Sequence, residues 1–108
     1  MPTVRQAKPQ VQGALDTNVV RRVVRAHINE IRHCYDQGLA RNPNLKGRVN
    51  VRFRIGGDGK VLAAEIAEDT LGDPTVGTCM LSSVKRWVFP KPAGSSVDIT
   101  YPFVLEPG

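Results

Sequence analysis

Arg48–Val61 reads RVNVRFRIGGDGKV, the clearest hairpin signal in the chain. Val49, Val51, Phe53 and Ile55 alternate with Arg48, Asn50, Arg52 and Arg54. A period of two predicts a strand with one buried face and one cationic face. Gly56-Gly57-Asp58-Gly59 then reverses the chain. Asp58 suits a type I turn, and Gly59 can take the left-handed conformation of a bulged hairpin. The returning strand, Lys60 to Glu68, alternates less cleanly. Strict alternation puts Val61 and Ala63 inside but Glu65 inside as well, and a bulge near Ala64 is expected to repair this. Glu65 or Glu68 is then placed to meet Arg48 or Arg52 across the pair.

Outward from the hairpin, periodicity predicts two helices. Val20, Val24, Ile28, Ile31, Tyr35 and Leu39 recur at steps of three and four, a single helix of six to seven turns. Asp16 is its N-cap, and Asn42-Pro43 stops it. Asp73-Pro74 opens a second helix whose inward stripe is Val76, Met80, Val84 and Trp87. Phe89-Pro90-Lys91-Pro92 breaks that helix. A last strand follows, with Val97, Ile99, Tyr101, Phe103 and Leu105 on one face. Pro102 cannot donate to a ladder, so this strand is expected at a sheet edge or with a local kink. Residues 1–13, with Pro2, Pro9 and several Gln, read as a flexible linker before a domain over 14–108. The expected fold is α+β: a three-stranded antiparallel or mixed sheet in the order α-β-β-α-β, with the first strand antiparallel between the other two and both helices on one face.

The chain has 108 residues, enough for one domain, and a net charge of +5 carried mostly by Arg. That charge permits acidic partners or a solvated basic face. No apolar run is long enough to span a membrane, and Met1 is followed by polar sequence rather than a signal peptide. Cys34 and Cys79 fit no CxxC pattern and are either two buried thiols or one disulfide. Each lies beside the buried stripe of its helix.

Little points to catalysis. His27 and His33 share a helix but face different sides, and His27 borders the apolar stripe as a partly buried core histidine. Ser82 and Ser83 lie on a helix without a strained nucleophile turn, and no carboxylate pair converges. Cys34, Cys79, His27 and His33 match no zinc frame, so neither metal nor cofactor is expected. The Gly-rich turn leads into a strand, not a helix N-terminus, and gives no phosphate cradle.

Five segments together resemble a family. They are HINEIRHCYDQGL (His27–Leu39), GRVNVRFRIGGDGKV (Gly47–Val61), DTLGDPTVGTCM (Asp69–Met80), KRWVFPKP (Lys85–Pro92) and ITYPFVL (Ile99–Leu105). In sequence and element order, residues 14–106 resemble the TonB C-terminal domain, and more closely its AgmX/PglI gliding-motility subgroup. The resemblance implies a periplasmic, non-enzymatic interaction domain of an inner-membrane-anchored protein, with residues 1–13 the tail of its spacer. It implies a periplasmic or outer-membrane protein partner and no small-molecule substrate. It implies β-augmentation at the last strand, with Asp98, Ile99, Thr100, Tyr101, Phe103 and Val104 as the acceptor. An oxidising periplasm would let Cys34 and Cys79 pair. The alternative class is nucleic-acid or anionic-polymer binding by Arg48, Arg52 and Arg54, joined by Arg21, Arg25 and Arg32. That face lacks the aromatics that stack bases, which weighs against nucleic acid. A homodimer closed edge to edge is a third class.

Overall fold

The structure, a computed structural model, describes all residues 1–108. The fold is α+β, with three helices and a five-stranded antiparallel sheet. The strands are β1 (Thr3–Gln6), β2 (Gln10–Gln12), β3 (Gly47–Gly56), β4 (Val61–Asp69) and β5 (Ser96–Glu106). The helices are α1 (Thr17–Ala26), α2 (Ile28–Arg41) and α3 (Pro74–Val84). No helix is long and apolar enough to cross a membrane.

The hairpin forms as its sequence dictates. Val49, Val51, Phe53 and Ile55 are buried, and Arg48, Arg52 and Arg54 are exposed. Gly59 sits at φ +88°, and Asp58 accepts from the Lys60 amide at 3.0 Å. A Cβ on Gly59 would collide with the carbonyl of Phe89, whose amide donates to the Gly59 carbonyl at 2.8 Å. The register of β3 on β4 slips twice, leaving Leu62 and Ala67 as extra residues. The expected bulge near Ala64 therefore lies two residues earlier. It turns Ala63 outward and Ala64 and Ile66 inward, and it puts Glu65 outside, beside Arg52 at 2.8 Å.

Where one long helix was expected there are two. His27 leaves the helical region at φ −110°, ψ 10°. Its ring stacks on Trp87 with centroids 5.1 Å apart, and its Nδ1 is 2.7 Å from Glu30 Oε2. Trp87 Nε1 donates to Glu30 Oε1 at 3.2 Å, which ties the break to the chain just past α3. Burial opposes ionisation of Glu30. The bonds from His27 and Trp87 outweigh it, helped by the charges of His27 and Arg86, and the pKa is lowered.

Asp16 caps α1 by accepting from Asn18 N, and Asp73 caps α3 by accepting from Thr75 N. Helices α2 and α3 pack closely at Gly38, where a Cβ would lie 2.6 Å from Val76 and 2.7 Å from Leu45. Cys34 of α2 and Cys79 of α3 form a disulfide, Cα–Cα 5.6 Å, across 45 residues of sequence. The helices cover one sheet face. Val20, Val24, Ile31 and Tyr35 join Val76, Met80 and Val84 in one buried cluster with the inward residues of β3 and β5.

The sheet runs β1–β5–β3–β4, with β2 also on β5. The expected core of β3 between β4 and β5 is present. The count of three strands is not: residues 3–6 and 10–12, read as linker, are paired with β5. Thr3-Val4-Arg5-Gln6 and Gln10-Val11-Gln12 each alternate exposed and half-buried residues, with Val4, Gln6 and Val11 inward. Docked on an existing edge, so short a stretch needs little propensity of its own.

Candidate interaction edge

Strand β5 carries every residue of the expected acceptor. Its alternation divides them. Ile99, Tyr101 and Phe103 point into the core and are fully buried, whereas Asp98, Thr100 and Val104 lie half-exposed on the open sheet face. None lies at a free edge, which corrects the sequence reading of β5 as an edge strand. On one side β3 pairs with β5 along its length, Gly47 opposite Leu105 to Gly56 opposite Ser96. On the other side stand β1, Thr3 opposite Glu106 to Gln6 opposite Phe103, and β2, Gln10 opposite Thr100 to Gln12 opposite Asp98.

Pro102 accounts for the break between β1 and β2. Its carbonyl accepts from the Ala7 amide at 3.1 Å. In an antiparallel ladder the N–H and C=O of one residue point the same way. The donor that Pro102 lacks would thus have faced the N-terminal segment. Three residues, Ala7, Lys8 and Pro9, stand there opposite two, Tyr101 and Pro102. Pro9 lacks an amide too, and it is buried in the gap. The edge takes two short ladders where an unbroken strand would leave a donor missing.

The outer segment also reads side chains. Val4 faces Leu105 and Val11 faces Ile99, both packed against the core. The Tyr101 hydroxyl donates to Gln6 Oε1. Burial raises the Tyr101 pKa, against the pull of Arg21 and Arg25 on α1. Gln6 was missed in the sequence because glutamine near proline resembles spacer. Its one sign was the two-residue offset from Val4.

The expected basic face is less cationic than its sequence. Arg54 makes a fork to Asp98 at 2.8 and 3.3 Å, which lowers the Asp98 pKa, and Arg52 is paired with Glu65. A shallow recess of about 620 Å³ crosses this face, lined by Arg52 and Arg54 but equally by Glu65 and Asp98. Arg48 is exposed and forms no ion pair, and it stands apart from the recess. The structure does not gather the three arginines into one anion site.

At the opposite border of the sheet, β4 has an unpaired outer edge. Two register slips bend it, and Glu65, Glu68 and Asp69 line its exposed side. Bulges and charge are the devices by which sheets discourage strand addition. Comparison of the chain with family models, with curated proteins and with solved structures returns no match.

Proposed function

We propose that this chain is a non-enzymatic, periplasmic protein-interaction domain of an inner-membrane-anchored envelope machine, of the TonB C-terminal kind used in energy coupling or gliding motility. Its partner is a periplasmic or outer-membrane protein, which adds an extended segment antiparallel to the outer edge of β5. One observation carries the reading: that edge already holds an extended antiparallel segment, residues 3–12, in spite of Pro102. An edge that accepts one such segment has backbone groups directed to accept another. The guarded state of β4 leaves β5 as the better docking edge. Pairing of Arg52 and Arg54 with carboxylates weakens the anionic-polymer alternative.

The test is photo-cross-linking in the envelope from a reactive side chain placed at Thr100 or Val104, on the open face of β5, with nuclease-treated controls. The reading expects a nuclease-resistant adduct with a periplasmic or outer-membrane protein. Adducts that vanish with nuclease, or that form only from Arg48, Arg52 or Arg54, would overturn it in favour of the polymer-binding class. An adduct with a second copy of the chain would assign the edge to a homodimer instead.

A further inference from the structure

We infer that residues 3–12 are a built-in stand-in for the partner segment: the partner displaces them, and it carries aliphatic residues at the places of Val4 and Val11 and a side-chain oxygen acceptor, best a carboxylate, at the place of Gln6. This rests on the reading of the β5 edge as the docking edge.

Three observations support exchange. First, the segment is separable. Of residues 1–13 only Pro9 is buried, and none belongs to the buried core cluster. Its ladder is interrupted at Ala7–Pro9, so no long run of bonds must open at once. Second, the chain turns where the segment ends. Gly13 sits at φ +135°, and a Cβ there would lie 2.9 Å from Val97 and 3.0 Å from the Ser96 carbonyl. Just beyond, α1 starts on its own cap, Asp16, so the helix does not depend on the docked strand. Third, departure leaves a specific demand. The Tyr101 hydroxyl is buried and donates to Gln6. An incoming segment that covers it again without an acceptor would leave an unsatisfied buried donor.

The same site favours a carboxylate. The charges of Arg21 and Arg25 on α1 act on Tyr101, opposing the rise that burial gives its pKa, and neither arginine is engaged in an ion pair. A Glu carboxylate at the place of Gln6 would accept the phenol's hydrogen bond in charge-assisted form, within the field of those two guanidinium groups. The remaining positions are undemanding. Thr3, Arg5, Gln10 and Gln12 are exposed on the open face. Arg5 makes only an exposed pair with Glu106 at 3.5 Å.

The test uses the full chain and, as probe, a labelled peptide of sequence MPTVRQAKPQVQG, with Gln6→Glu and Val11→Asp versions. A locked chain carries Gln10→Cys with Thr100→Cys. These residues are directly opposed, at a Cα spacing of about 5.5 Å for such a pair, within disulfide range. A loosened chain carries Val11→Asp, which sets a charge against Ile99. Self-occupancy reduces apparent affinity by the fraction of chains that are open. The loosened chain should therefore bind the peptide about tenfold or more tighter than the unaltered chain. The oxidised locked chain should bind none, while each single-cysteine chain binds as the unaltered one does. The Gln6→Glu peptide should bind tighter than its parent, and the Val11→Asp peptide more weakly. Equal binding to the oxidised locked chain would overturn the inference, because the peptide would then sit elsewhere. So would absence of binding to a loosened chain that keeps its cooperative unfolding. If that chain fails to fold, the comparison of locked and single-cysteine chains decides. The probe contains no envelope component, so its failure refutes the exchange and leaves the docking edge to the cross-linking experiment.

Discussion

Replacing both cysteines, Cys34→Ala with Cys79→Ala, should cost the domain a large share of its stability. The magnitude follows from chain length alone. The bond closes a loop across 45 residues of sequence. Loop-closure entropy for a loop of this size gives about 4 kcal/mol at 25 °C. Cys34 is almost fully buried, so removal of its sulfur adds a small packing loss. Domains of this size are stable by only about 5–15 kcal/mol in total, so the bond supplies about a quarter of the margin at the upper end and about four fifths at the lower. The assay is urea unfolding of the oxidised unaltered chain beside the double variant, followed by circular dichroism and Trp87 fluorescence. The midpoint should fall by about 2–3 M. The slope should rise, because an unfolded chain without the cross-link exposes more surface. A loss below about 1.5 kcal/mol with an unchanged slope would refute the loop-entropy reasoning. It would mean that the segment from α2 to α3 stays compact when unfolded, so that the bond restrains little.

Gly59→Ala should destabilise by more than about 2 kcal/mol, since a positive φ costs an L-residue about 1–3 kcal/mol and the Gly59–Phe89 bond is displaced as well; an unchanged urea midpoint would refute this. The Thr75 hydroxyl, Arg41 and the Thr75 amide hold the Asp73 pKa at about 2, below its ordinary 3.8. A depressed carboxylate stabilises fully above its unfolded pKa and loses that contribution as pH falls toward the folded value. Unfolding stability should therefore drop between about pH 4 and 2 more steeply in the unaltered chain than in Asp73→Asn, and parallel acid profiles would sink the assignment. Thr100→Pro removes an amide that faces β2, so amide exchange of Gln10–Gln12 should accelerate while the β3–β4 hairpin keeps its protection. Partner capture at β5 should fall with it, and unchanged capture would point to another face.

The core of the fold was legible because its signals are local. Alternation in β3, the Asp58-Gly59 turn, the Asp16 and Asp73 caps and the Asn42-Pro43 stop each follow from a few neighbouring residues. The order β4–β3–β5 followed from crossover handedness. What escaped depends on distant partners. His27 breaks a continuous stripe because Trp87, sixty residues on, holds its ring. Leu62 becomes a bulge residue only because Arg54 and Ile55 fix the opposite register. Residues 3–12 have the composition of a spacer, and only the open edge of β5 makes them strands. The residues expected to accept a partner all lie on β5, but the pairing of that edge with residues 3–12 was not written in its own sequence. Pro102 signalled an interruption, and that interruption lies in the neighbour across the ladder.

The pairing of Thr3 with Glu106 has a further consequence, for the order of folding. It spans nearly the whole chain, whereas the β3–β4 hairpin joins near neighbours in sequence, from Ile55 with Val61 to Val49 with Asp69. Closure entropy grows with the length of chain enclosed, so contacts of short separation form more readily and those joining the two ends least readily. The hairpin and the pairing of α2 with α3 can close before β5 arrives, and β5 can settle against β3 before anything covers its other side. In that sequence the outer edge of β5 exists complete and uncovered for the interval before residues 3–12 dock. A partner present while the chain folds would meet an open edge, with no strand to displace.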